Sequence, residues 1–144
     1  MRVLAEGRWD AGEPPGVAGF VLSRFNPLVV AAAERCLSQL PEPSPRTGIV
    51  IVTDGDRVSA EHVREAVAEG KRIGPLFFFQ SVPNSVAGWL AAKWDLRGPV
   101  VCVTDGGRDE AELLIDDGDA EQVLIVQVSA DQAFAQIVSG GDPV

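Results

Sequence analysis

Continuous apolar runs alternate with amphipathic stretches along most of the chain. GIVIVTDG at 48 to 55, the segment 99 to 104 and QVLIVQVS at 122 to 129 are unbroken apolar runs that end in polar residues. That form predicts strands buried on both faces, as in parallel sheets. Val3-Leu4 predicts a short first strand. The Gly/Pro-rich stretch from Asp10 to Gly16 predicts a loop, and VAGFVL at 17 to 22 is a further short apolar run.

Between these runs the apolar period changes to that of a helix. Asn26-Pro27 reads as a helix start, with Asn as N-cap and Pro at the first helical position. Val29, Ala33, Cys36, Leu37 and Leu40 then share one face, and PEPSPR at 41 to 46 ends the helix. Ser59 caps a second helix to about Glu69, stopped by Gly70. Phe77, Phe78 and Phe79 form an apolar segment. A helix from about Asn84 to Asp95 carries Val86, Trp89, Leu90 and Trp94 along one side, and a short acidic helix covers about 109 to 117. Ser129 and Gln132 have the spacing of a capping box, which predicts a last helix near 130 to 138 with Phe134 and Ile137 inward.

Strands alternating with helices predict one layered α/β domain over residues 1 to 144, with a mostly parallel sheet flanked by helices. Its 144 residues suffice for a real core. IVIVTDGD at 49 to 56 and VVCVTDGG at 100 to 107 echo each other as strand-then-turn units.

Charge and composition narrow the function. The net charge of −9 and scattered basic residues exclude a nucleic-acid surface, which needs clustered Lys and Arg. No apolar stretch is long enough to span a bilayer, and MRVLAEGRWD lacks the apolar block of a leader, so the expected location is the cytoplasm. Cys36 and Cys102 belong to no CxxC or Cys/His cluster, so neither a metal site nor a cofactor is expected. Both read as small buried hydrophobes.

The candidate chemistry gathers after the strands, where α/β folds place ligands. Asp54, Asp56 and Asp105 follow the apolar runs, but Asp and Gly are also ordinary turn residues and no phosphate-cradling loop with Lys accompanies them. His62 is the only histidine and sits within a helix; Ser81, Ser85 and Ser129 lack a GxSxG setting. Asp116, Asp117, Asp119 and Glu121 bound a solvated loop around Gly118.

One block is more specific. PNSVAGWLAAKWDLRGPVVCVTDGG, residues 83 to 107, resembles the β-ketoacyl synthases of the thiolase fold: a Pro-Asn-x-x-Ala-Gly helix, a Gly-Pro corner (here Asp95-Leu96-Arg97-Gly98-Pro99), a strand, and then a helix. RTGIVIVTDGD and DDGDAEQVLIVQV are similar to the family's strands before and after that helix. The resemblance implies one half of the thiolase fold, the N-terminal one. It also implies a nucleophilic Cys at the start of the helix, close to Gly107. This chain has none there: the turn reads Asp105-Gly106-Gly107-Arg108, a degenerate nucleophile region. Cys102 comes earlier, inside the strand. The family's second half, with its two catalytic histidines, is not in this sequence.

A condensation needs an acyl-carrying thiolate and a group that stabilises the developing oxyanion. The expectation is therefore a non-catalytic, ketosynthase-like accessory subunit of a bacterial polyketide or fatty-acid-type pathway. It would self-associate or pair with a ketosynthase, and meet acyl carrier protein only indirectly. The resemblance places the strand at 100 to 104 near a dimer interface, and a half-fold would leave a bare apolar face. The alternative is a small-molecule binding or catalytic domain. Its site would lie at the strand ends, with Asp54, Asp105, Phe78 and Asn84 as ligand contacts.

Overall fold

A computed structural model describes residues 1–10, 12–20, 25–53, 57–70, 83–129 and 131–141. All six residues of β2 (Thr47–Val52) are buried. β2 lies between β3 (Val100–Val103) and β4 (Gln122–Ser129), parallel to both. β5 (Gln132–Ser139) returns antiparallel to β4, and β1 (Arg2–Trp9) pairs antiparallel with β5. The order across the five-stranded sheet is β1-β5-β4-β2-β3.

Helices cover both faces. α1 (Phe25–Leu37) and α3 (Pro83–Trp94) pack on one face with Ile49, Ile51, Leu124, Val126 and Ile137. α4 (Gly107–Asp116) covers Val50, Val52, Val123 and Ile125 on the other. The alternation along β2 thus feeds two separate cores, each buried Ile or Val contributing about 1.5–3 kcal/mol. α2 (Arg57–Ala68) follows β2, with Val63 and Ala66 half-buried. Glu34 of α1 ties α1 to α3 by accepting from Lys93 and from Trp94 Nε1 at 3.1 Å.

The layered α/β class is as the pattern predicts, and the buried strands fall within a residue or two of their expected limits. Several elements differ, among them α2, which starts at Arg57 and so has Ser59 inside it and not at its cap. The C-terminal segment expected as a helix over 130 to 138 is β5, an antiparallel hairpin partner of β4 that makes the sheet mixed. Ala133, Ala135 and Ile137 alternate inward, and their period is two. β1 is eight residues long because it adds to β5 along its whole length. α1 begins at Phe25, so Asn26 is a buried residue of its first turn. Phe77 to Phe79 and Ser81 lie outside the described residues.

α1 comes very close to β1. A Cβ on Gly7 would stand 2.5 Å from the Cys36 amide nitrogen and 2.6 Å from the Ala32 carbonyl oxygen. Backbone cannot move aside as a side chain can. Gly7→Ala is expected to destabilise the protein by at least about 1–3 kcal/mol, read as a lower urea midpoint, through forced separation of α1 from β1.

Candidate functional site

β2 and β3 run parallel in register from Ile49↔Val100 to Val52↔Val103. Their C-terminal ends therefore deliver Thr53 and Thr104 side by side, and the Thr53 amide donates to the Val103 carbonyl at 2.9 Å. The chain then turns through Thr104 and Asp105 into α4. Gly106 is the N-cap in the left-handed region (φ 68°, ψ 28°) with no side-chain cap, and its carbonyl accepts from the Glu110 amide at 3.0 Å.

Of the residues expected at the degenerate site, Asp105, Gly106, Gly107 and Arg108 come together in this turn; Asp105, Gly106 and Arg108 are exposed and Gly107 is buried. Asp54, Asp56 and Phe78 lie outside the described residues. Asn84 stands in the first turn of α3, with its side chain outside the description, as is that of His62. Because α3 runs back to the start of β3, that turn is at the same end of the sheet. It is on the opposite face from α4.

Gly107 has no room for a side chain. A Cβ there would overlap Val52 Cγ2 and lie 3.3 Å from Ile125 Cγ2. Its Cα–H edge faces the second core, not solvent. A residue with a side chain at this position would aim it between β2 and β4.

Neither cysteine substitutes. Cys102 shares the core of α1 and α3, on the sheet face away from α4. Burial holds its thiol above the ordinary value, the reverse of nucleophile activation. Cys36 is fully buried, and desolvation pushes its thiol from 9.0 up to about 12, against a smaller lowering by the Ile137 backbone and with a small rise from Glu6. Among the described residues no three His, Cys, Asp or Glu side chains converge as metal ligands.

No protein-family profile and no curated protein matches the chain. Solved structures do. One is the ketosynthase ApeO in complex with its chain length factor ApeC from Xenorhabdus doucetiae (TM-score 0.70, 22% identity, 83% of this chain and 58% of that one). The ishigamide ketosynthase/chain length factor is similar (TM-score 0.70, 17% identity, 92% and 48%). A third is the AntDE:AntF complex, a type II PKS acyl-carrier protein with its ketosynthase bound to the hexaketide (TM-score 0.61, 16% identity, 82% and 47%). The chain has the ketosynthase fold. It spans about half the length of these structures.

Within that fold the two sheet edges differ sharply. On β1 the Arg8 carbonyl accepts from Arg35 Nη1 at 2.7 Å and the Glu6 carbonyl accepts from Gln39 Nε2. Arg35 also stacks on Trp9, 4.2 Å from the ring centroid. On β3, Pro99 and Val103 accept from β2, so alternation turns the backbone groups of Val100 and Cys102 outward. Among the described residues no side chain caps them. All four β3 residues are half-buried and uncharged. The bare apolar face expected of a half-fold has no counterpart among the described residues, whose exposed large apolar side chains are Val3, Val67 and Leu113. No helix among them is long and apolar enough to cross a membrane.

Two outcomes follow from the site. Gly107→Cys, which restores a thiol at the start of α4, is expected to lower stability by about 1–3 kcal/mol in a thermal melt and to leave that thiol unreactive toward a disulfide reagent in the folded protein. Cys36 makes stability depend on alkaline pH. The unfolded thiol ionises before the folded one, so its contribution is intact below pH 9.0 and declines as pH rises toward about 12. Urea midpoints between these limits are expected to fall less steeply for Cys36→Ala than for the natural chain.

Proposed function

We propose that this protein is a non-catalytic, ketosynthase-like subunit of a bacterial polyketide or fatty-acid-type pathway, working in the cytoplasm. It pairs through β3 with another ketosynthase-fold subunit or with a second copy of itself. The observation that carries the non-catalytic part is the Gly107 contact: the turn contains no cysteine, and a side chain on its first helical residue would point into the filled core between β2 and β4. Support for the pathway comes from the similar solved structures, in which a ketosynthase is paired with a chain length factor or held by an acyl-carrier protein.

Support for β3 as the pairing edge comes from the contrast with β1. An uncapped, uncharged edge with outward N–H and C=O groups is a template for another strand, whereas β1 is already closed by α1. The partner adds a strand rather than a ligand. Contact with acyl carrier protein then runs through the active partner.

The test is molar mass by light scattering, for the chain alone and mixed with a ketosynthase from its own genome. A dimer or a stoichiometric complex is expected. Cys102→Pro removes one outward donor while keeping the β3 backbone bonds to β2, and is expected to return the mass toward the 15.2 kDa monomer with the melt little changed. A natural chain that stays monomeric in every mixture would overturn the partner reading, and would shift attention to ligand binding at the ends of β2 and β3.

A further inference from the structure

Three Asp-Gly pairs occur in the chain: Asp54-Gly55, Asp105-Gly106 and Asp117-Gly118. Such a pair carries a reaction of its own. The backbone nitrogen after the aspartate can attack the side-chain carboxyl carbon, because glycine has no Cβ to obstruct the approach. The first pair lies outside the described residues. The other two are both exposed and differ in what holds the attacking nitrogen. The Gly118 amide donates to the Ile115 carbonyl at 3.0 Å and the Asp117 amide to the Leu113 carbonyl at 2.9 Å, while the Gly118 carbonyl accepts from Arg46 Nη2. That pair is locked into the C-terminal turn of α4. The Gly106 amide has no acceptor among the described residues, and only its carbonyl is engaged, by the Glu110 amide. The nitrogen that must attack is therefore held at one pair and free at the other.

We propose that Asp105-Gly106 is a self-modification site, at which the folded chain isomerises to isoaspartate. The Gly106 nitrogen bonds to Asp105 Cγ and gives up its proton. The carboxyl C–O bond breaks, and the hydroxyl leaves as one water, closing a succinimide ring. One water then reopens the ring. Attack at the side-chain carbonyl restores Asp105; attack at the main-chain carbonyl leaves the chain running through Cγ, with a free carboxylate on Cα. Water is the only co-reactant, and the charge is unchanged. The isomer lengthens the backbone between β3 and α4 by one methylene, about 1.5 Å. Just beyond it sits Gly107, where even a Cβ would overlap Val52 Cγ2. So tight a seat cannot absorb the longer chain, and α4 is displaced from β2. None of this depends on the proposed function.

The full natural chain is aged at neutral pH, folded and in urea, for as long as the unfolded chain takes to react at both pairs. Peptide mapping with electron-transfer fragmentation reads the isoaspartate fraction at positions 105 and 117. In the folded chain Asp105 is expected to isomerise about fivefold or more faster than Asp117, where a backbone hydrogen bond must first break. In urea the two rates are expected to converge. A smaller ratio in the folded chain, or Asp117 ahead, overturns the proposal. So does a folded chain that stays unmodified at 105. A preference for Asp105 that persists in urea also overturns it, because flanking residues and not the fold would then select the site. Asp105→Glu keeps the charge but would have to close a larger ring, and is expected to stay unmodified there. A melt of the aged natural chain is expected to show a lower-melting fraction that matches the isoaspartate fraction and is missing from aged Asp105→Glu. An isomer that melts with its parent overturns the displacement of α4 and leaves the modification site standing.

Discussion

The contact between Gly107 and Val52 fixes more of this molecule than any other. It lets the first turn of α4 rest directly on the end of β2, and so seats Ala111 and Leu114 against Val50, Val123 and Ile125. Without that seat the second face of β2 would be open to water, and a strand buried on both faces is stable only when both are covered. The side chain whose absence permits the packing is also the one that the resemblance to the β-ketoacyl synthases would make reactive, which is the basis of the proposed non-catalytic role. Tight packing of α4 on β2 and the lack of a side chain at residue 107 are one structural fact.

A similar close approach governs the far edge. Gly7 admits the backbone of α1 at Ala32 and Cys36, and this brings Arg35 and Gln39 within reach of the β1 carbonyls. The helix that builds the main core therefore also blocks strand addition at β1. No equivalent helix face reaches the β3 edge among the described residues. Among the described residues the sheet therefore has one edge capped by side chains and one that is not.

The sequence made the parallel half of the fold readable because β2, β3 and β4 are short apolar runs with turn residues after them. It misled at β5. Ser129 and Gln132 have capping-box spacing, and Phe134 and Ile137 are three apart, so helix and strand both fit. Pairing with β4 on one side and β1 on the other decided for the strand, with the small Ala133 and Ala135 tucked under α1. The turn at 104 to 108 stood out in the sequence through the family resemblance, and its lack of a cysteine was plain. Its closure was not legible, because the atoms that forbid a side chain on Gly107 belong to Val52 and Ile125, far away in the chain. The capping of β1 was equally hidden: Arg35 and Gln39 look like ordinary surface residues of a helix end.

Electrostatics at the start of α4 agrees with the sterics. A helix N-terminus carries partial positive charge, which in a thiol enzyme would favour the thiolate. Here Asp109 and Glu110 occupy the first turn. Their carboxylates are stabilised by the helix dipole and satisfy it, so the field is spent on holding the helix. An anionic group placed beside Gly106 would meet the carboxylates of Asp105, Asp109 and Glu110 close by in the chain, with Arg108 among them. The acidic first turn, the filled space under Gly107 and the half-buried Cys102 thiol, held above its ordinary value by burial, are three separate features that support the proposed non-catalytic reading.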